Sequence, residues 1–207
     1  MPIEGDPFAT RLTLVGETYQ YGDDVGFVIL DVPRMEASPS TPTLCVEDLD
    51  VADVSQSQTA YGCVGTPGSV NQASNGIFDA QGYFYGGLAA TDDEYEFLRY
   101  RHATHFIMKF DHSNMIDERD REVLVPEPYG MSGGPIFRVG TFDQILSGTA
   151  SPRLIAITIE WWQTRKVMVG VRVAMVLTAI RQLVPSLAPE LPDPVYFESV
   201  IQLDPSP

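Results

Sequence analysis

The sequence predicts an all-β protein, a barrel or a sandwich, and three observations predict it. Short stretches such as "VGFVILDV", "THFIMKFD", "RLIAITIEWW" and "KVMVGVRV" are rich in β-branched and aromatic residues, which suit a pleated, half-buried surface. The punctuation is heavy, with 17 Gly and 16 Pro in 207 residues, a load that signals many turns. The strand-like stretches are not separated by helix-length segments, which argues against βαβ crossovers and for an antiparallel barrel or sandwich.

Taken in order, the first strand is "TRLTLVGE", residues 10–17, and the second runs from Val25 in "VGFVILDV". Residues 34–43, "RMEASPSTPT", read as a Pro/Ser/Thr-rich loop. Residues 104–111 read as a strand. The charged stretch 111–122 reads as a surface loop. After it come "PIFRV", "RLIAITIEWW" and "KVMVGVRV". A helix is predicted over 174–184, where Val176, Ile180 and Leu183 follow helical spacing and Pro185 limits its extension. The tail from Pro185 holds six prolines around an apolar "VYFESVIQL", which predicts an arm docked on the domain or on a partner.

Composition narrows the functions. The net charge is −15, and Arg99, Arg101, Arg119 and Arg121 sit among acids, so no basic patch suits a phosphate backbone and nucleic acid is not an expected partner. No apolar run reaches the roughly 18 residues of a membrane span, and the acidic start "MPIEGDPFAT" lacks the apolar segment of a signal peptide. The expectation is a cytoplasmic location and no membrane partner. Cys45 and Cys63 read as two separate buried thiols, with one bridge in an exported protein as the alternative. The three histidines are His102, His105 and His112. On a strand the first two point to opposite faces and no Cys lies beside them, so neither a metal nor another cofactor is expected.

The densest motif is "PYGMSGGPIF", residues 128–137. Glycines around a serine let the backbone pass close to a substrate without a Cβ in the way. Acyl transfer through such a serine requires backbone N–H donors aimed at the developing oxyanion. The plainer reading is a glycine-rich turn. Gly130-Met131-Ser132-Gly133-Gly134-Pro135 resembles the G-x-S-G-G-P loop of trypsin-like serine peptidases. Asp24-Val25-Gly26-Phe27-Val28-Ile29-Leu30 resembles the family's D-I-A-L-L-x-L strand, and "YGCVGTPGS" is similar to the glycine turn opening its second barrel. The strands after Ser132 and the helix from Ala174 follow the family's order, so the resemblance covers roughly residues 12–184.

What the resemblance implies is a trypsin-like double β-barrel ending in an α-helix, acting on a protein or peptide by an acyl-enzyme mechanism. Ser132 would be the nucleophile, Gly130 and Ser132 the oxyanion donors, and Asp24 the residue that orients the base, with Asp23 its neighbouring alternative. The family's histidine precedes this aspartate; here 23 residues precede Asp24 and none is histidine. A serine without a base is a poor nucleophile. Three explanations stay open: a fragment lacking an upstream segment, a non-catalytic binding module of the same fold, or a base taken from "RHATHFIMKFDH". The expectation is little or no amidase activity for this chain alone.

On the same resemblance, residues 1–60 would be a remnant of the first barrel, 61–185 the second barrel with its helix, and 186–207 a Pro-rich tail. The incomplete first barrel would be finished by "VYFESVIQL", by a second copy of the chain, or by another polypeptide. The substrate pocket would carry Pro126 at its floor, Trp161 on one wall and Gly170 on the other. Uncharged Pro126 and bulky Trp161 favour small or medium apolar side chains. The plainer reading of Trp161 and Trp162 is one core and one surface aromatic.

Overall fold

The computed structural model describes residues 18–21, 25–28, 44–51, 58–70, 72–74, 77–79, 82–111, 115–116, 122–123 and 125–192. In chain order the strands are β1 (Thr18–Tyr21), β2 (Val25–Val28), β3 (Thr59–Gly65), β4 (Gln72–Ser74), β5 (Ile77–Asp79), β6 (Tyr83–Ala89), β7 (His105–Lys109), β8 (Met115–Ile116), β9 (Glu122–Val123), β10 (Pro135–Thr141), β11 (Arg153–Trp162) and β12 (Val167–Arg172). The α-helices are α1 (Asp92–Leu98), α2 (Phe142–Leu146) and α3 (Val173–Leu183). The chain divides into two compact units, Met1–Thr43 and Leu44–Pro207. In the first, β1 and β2 form an antiparallel pair.

In the second unit six strands close into an antiparallel barrel, in the order β10-β11-β12-β7-β6-β3. The protein is thus mostly β, with a closed barrel and few helices, as the strand pattern predicts. Closure removes the unpaired edges that would otherwise recruit other chains. Alternation along the strands sorts the side chains. Tyr61, Cys63, Tyr85, Phe106, Met108, Ile136, Ala156 and Met168 belong to one buried cluster. Val64, Phe84 and Leu88 point outward and are exposed.

The stretch 61–69 differs from its sequence reading. Residues 61–65 lie inside β3, and the turn begins only after them. Gly62 pairs with Gly86 of β6, and the ring of Phe84, diagonally across, covers it: a Cβ at Gly62 would come within 2.2 Å of Phe84 Cε2 and Cζ. A Cβ at Gly65 would likewise come within 2.7 Å of Met131 Cε, so both glycines report packing within a strand.

The predicted runs "RLIAITIEWW" and "KVMVGVRV" form β11 and β12, paired from Ala156↔Arg172 to Trp162↔Val167 with a bulge between Thr158 and Glu160. Two short helices interrupt the strand pattern. α1 follows Thr91, carries Asp92, Asp93 and Glu94 in its first turn, and ends on Arg99 at φ 61°. These acids suit the positive end of a helix. α2 is set by a capping box between Thr141 and Gln144.

α3 begins at Val173 and packs Val173 and Leu177 on Leu154, with Ile157, Ile180 and Leu191 around them. Past α3 the chain continues as a 3-10 helix over Pro185–Glu190 and turns back, with Arg181 Nη1 donating to the carbonyls of Leu191 (3.1 Å) and Pro192 (3.0 Å). The first part of the tail thus docks on α3, while "VYFESVIQL" lies outside the described residues. At the other end, Leu49 bridges Leu154 and Arg138 Nε pairs with Asp50 Oδ2 at 2.6 Å. The unit that holds the barrel begins at Leu44.

Candidate functional site

The chain from Val125 to Gly134 leads into β10, with Pro128 and Met131 buried and Tyr129, Gly130, Ser132 and Gly133 exposed. Tyr85 Oη donates to the carbonyl of Pro126 at 2.9 Å. The N–H of Gly68 donates to the carbonyl of Tyr129 at 2.7 Å, tying the loop to the turn after β3. Gly130 stands at φ +83°, and a Cβ there would meet Gly68 N at 3.2 Å. The positive φ and the close backbone together explain the glycine.

Met131 then turns inward. It is buried within the barrel cluster, and a Cβ on Gly65 would come within 2.7 Å of its Cε. Ser132 turns outward and is exposed. Gly133, at φ +89°, donates its N–H to Thr158 O at 2.7 Å. Gly134 donates to Met131 O at 2.9 Å and accepts from Thr158 N at 2.8 Å. A Cβ at Gly134 would lie 2.7 Å from Val64 O and 2.9 Å from Met131 O, both backbone atoms.

The hydrogen-bond accounting of this loop is informative. The N–H groups of Met131, Gly133 and Gly134 are used internally, on Pro128 O, Thr158 O and Met131 O. Those of Gly130 and Ser132 have no acceptor among the described residues. These two donors lie two residues apart on a loop held by the buried Met131 and by hydrogen bonds to Thr158 of β11. Ser132 Oγ itself donates to the carbonyl of Ile159 at 3.0 Å.

The candidate bases lie elsewhere. His102 Nε2 is 3.0 Å from Asp92 Oδ1, and its ring stacks on Tyr95 with centroids 3.5 Å apart. His105 Nδ1 is 2.8 Å from Thr104 Oγ1 and its ring lies against Tyr100. Neither imidazole contacts Ser132. Asp23, Asp24 and His112 lie outside the described residues. No group of three or more His, Cys, Asp or Glu able to hold a metal ion is present among the described residues.

The expected pocket residues are placed as follows. Pro126 is half-buried and fixed through its carbonyl. Trp161 is half-buried and packs on Phe110, with ring centroids 4.8 Å apart, in the cluster that fills the barrel. Trp162 packs with Ile159 on the outer cluster of Tyr95, Ile107, Val167 and Val169. The two tryptophans thus serve opposite faces of β11. Gly170 is buried, and a Cβ there would meet Ile136 Cδ1 and Ile157 O at 2.9 Å and Ala156 Cβ at 3.0 Å. Its missing side chain is demanded by the barrel interior.

Both cysteines are free, Cys45 exposed and Cys63 buried. Burial pushes the Cys63 thiol up to about 11, against the opposing effect of its hydrogen bond with Thr158 Oγ1 at 3.3 Å. At neutral pH it is a thiol, and so a poor nucleophile. Sequence spacing gave no signal for the Ile159 carbonyl, for the Gly68–Tyr129 clamp or for Met131 as the loop's anchor. Each is a backbone or packing partner fixed by the fold. No family model matches the chain, and no curated protein or solved structure matches it.

Proposed function

We propose that the chain is a trypsin-like serine peptidase module, with the closed barrel as the second of two barrels and Ser132 as its acyl-transfer residue. The observation that carries this reading is the pair of N–H groups on Gly130 and Ser132, which have no acceptor among the described residues while those of Met131, Gly133 and Gly134 do. Such a pair, preset on a rigid loop, stabilises the oxyanion of a tetrahedral intermediate without reorganising as the reaction proceeds. The passage from Ser132 through β10, β11 and β12 to α3, in the order the resemblance implies, supports the same reading.

In this mechanism Ser132 Oγ leaves the Ile159 carbonyl, passes its proton to a base and attacks the substrate carbonyl. The resemblance assigns the orientation of that base to Asp24. No described residue presents the base itself. The substrate is a protein or peptide, and the resemblance, which assigns uncharged Pro126 and bulky Trp161 to the substrate pocket, implies small or medium apolar side chains at the scissile position.

The test is labelling by a fluorophosphonate probe, located by mass spectrometry. Removing one member of a catalytic triad leaves acceleration on the order of 10³–10⁴ over water, supplied by the oxyanion donors and binding. The expected result is slow labelling confined to Ser132 and abolished by Ser132→Ala. A second reading, a non-catalytic binding module of the same fold, is favoured by the hydrogen bond that occupies Ser132 Oγ. Labelling no faster at Ser132 than at other exposed serines would establish that second reading.

A further inference from the structure

Tyr129 stands three residues before Ser132 and is 50% exposed. An exposed tyrosine ordinarily samples several rotamers, but this one is tied at both ends. Its carbonyl accepts from the Gly68 N–H at 2.7 Å. Its hydroxyl donates to Gln163 Oε1 at 3.2 Å, and Gln163 Nε2 donates in turn to Glu127 Oε1 at 2.6 Å. Gln163 follows directly on β11, so the ring spans from the serine loop to the end of that strand.

The loop backbone is held without this side-chain bridge. Pro126 O accepts from Tyr85, Gly133 and Gly134 bond Thr158, and Met131 is buried. What the bridge fixes is the ring. Two other exposed rings have their faces occupied within the chain: Phe84 lies over Gly62, and Phe97 carries the Arg165 guanidinium 3.6 Å from its centroid. Among the described residues no ring or cation stacks on Tyr129. A tyrosine ordered in advance offers a large contact face and loses little rotamer freedom when a ligand covers it.

Covalent geometry places this ring beside the chemistry. Gly130 N is bonded to the carbonyl carbon of Tyr129. An oxyanion held by the Gly130 and Ser132 N–H groups would sit about 3 Å from each, and so within roughly 6 Å of Tyr129 Cβ. A residue flanking the scissile bond is then within reach of the ring.

We infer that Tyr129 is a specificity-determining residue of the Ser132 site, its ring a fixed face for an aromatic side chain next to the scissile bond, with Gln163 as the positioning residue that holds it. The inference rests on the acyl-transfer reading of the Ser132 loop and names its substrate class. That class is a peptide carrying an aromatic residue within two positions of the small or medium apolar residue bound at Ser132.

The experiment uses the full chain carrying Ser132→Ala, which prevents turnover, and fluorescein-labelled eight-residue peptides of alanine with one central valine. One other position in turn is phenylalanine, and affinity is read by fluorescence anisotropy. Covering one face of a phenylalanine with a preset aromatic ring implies that, at one position near the valine, it binds about tenfold tighter than alanine. Adding Tyr129→Ala is expected to bring that ratio within about twofold. Tyr129→Phe keeps the ring and removes the tie, and Gln163→Ala removes the tie from the other side. Each is expected to lower the ratio about threefold, and the two together no further, because they break one hydrogen bond. The preferred peptide is expected to slow fluorophosphonate labelling of Ser132 in the unmodified chain.

A phenylalanine preference untouched by Tyr129→Ala, a preference at no position, or no binding of any peptide overturns the inference. Binding that leaves Ser132 labelling unslowed places the peptide elsewhere and overturns it too. Losses that add between Tyr129→Phe and Gln163→Ala overturn the role of Gln163. The fluorophosphonate assay keeps the two proposals separate. Ser132 labelling without a phenylalanine preference overturns the role of Tyr129 alone. A preference that depends on Tyr129 without any Ser132 labelling overturns the peptidase reading and leaves the aromatic contact standing.

Discussion

At Gly134 an added Cβ meets two backbone oxygens, Val64 O and Met131 O, neither of which can move without disturbing β3 or the serine loop. Gly134→Ala is expected to lower stability by about 1–3 kcal/mol, the usual range for forced overpacking, measured by denaturant unfolding. Met131 acts from the opposite direction, filling the space beside Gly65. Met131→Ala is expected to cost about 2–5 kcal/mol and to slow Ser132 labelling, because the loop loses its buried anchor. Cys63 gives a pH signature. Its folded-state value of about 11 lies above the ordinary thiol value of 9.0, so between these the folded chain holds a proton that the unfolded chain has lost. The contribution is therefore constant below pH 9 and falls as pH rises toward 11, by on the order of 3 kcal/mol in all. Replacing Cys63 with alanine is expected to flatten stability against pH between 9 and 10, while the hydroxyls of Tyr85 and Tyr61, both raised by burial, sustain a decline above pH 10. The serine loop was legible at this scale because its residues are contiguous. Its partners Ile159 and Gly68 were not, since they act through backbone atoms whatever their side chains.

At the scale of elements, β11 and β12 were legible because unbroken β-branched and aromatic runs have few other uses. β3 was hidden by Gly62 and Gly65, which answer to the Phe84 ring and the Met131 side chain rather than to a turn. α1 was hidden by its brevity: "DDEYEFL" has the acidic first turn of a helix but too few residues to show a period. α3 shows the reverse, a predicted helix whose neighbours were not predicted. Arg181 clamps the returning chain by two carbonyls and Leu191 joins the cluster beneath it. Deleting residues 186–207 removes both the clamp's acceptors and Leu191. It is expected to lower the melting temperature by several degrees, the effect of roughly 1–2 kcal/mol in a protein of this size, with cooperative melting retained. Aggregation on deletion would instead assign the tail a larger structural role.

At the scale of the whole molecule, the barrel, α3 and the segment from Leu44 share one compact unit, and Met1–Thr43 forms another. The fragment from residue 44 onward is expected to fold by itself and to melt in a single cooperative transition, checked by calorimetry. A fragment that stays unfolded would show that the first unit completes the barrel's core. Composition predicted the strand-rich class but not which strand closes on which, because closure depends on residues far apart in the chain. That closure also governs the order of events as the protein is made. β3 bonds β10 on one side, and the ring is sealed only when β12 has joined β7 and β11. The ribosome therefore releases β3 roughly a hundred residues before its barrel can exist, an interval on the order of 5–20 s at ordinary rates of synthesis. Throughout that interval Tyr61 and Cys63 have no core to enter, and β3 offers a free edge to any other nascent strand. The most hazardous moment for this chain is therefore set by the pace of translation.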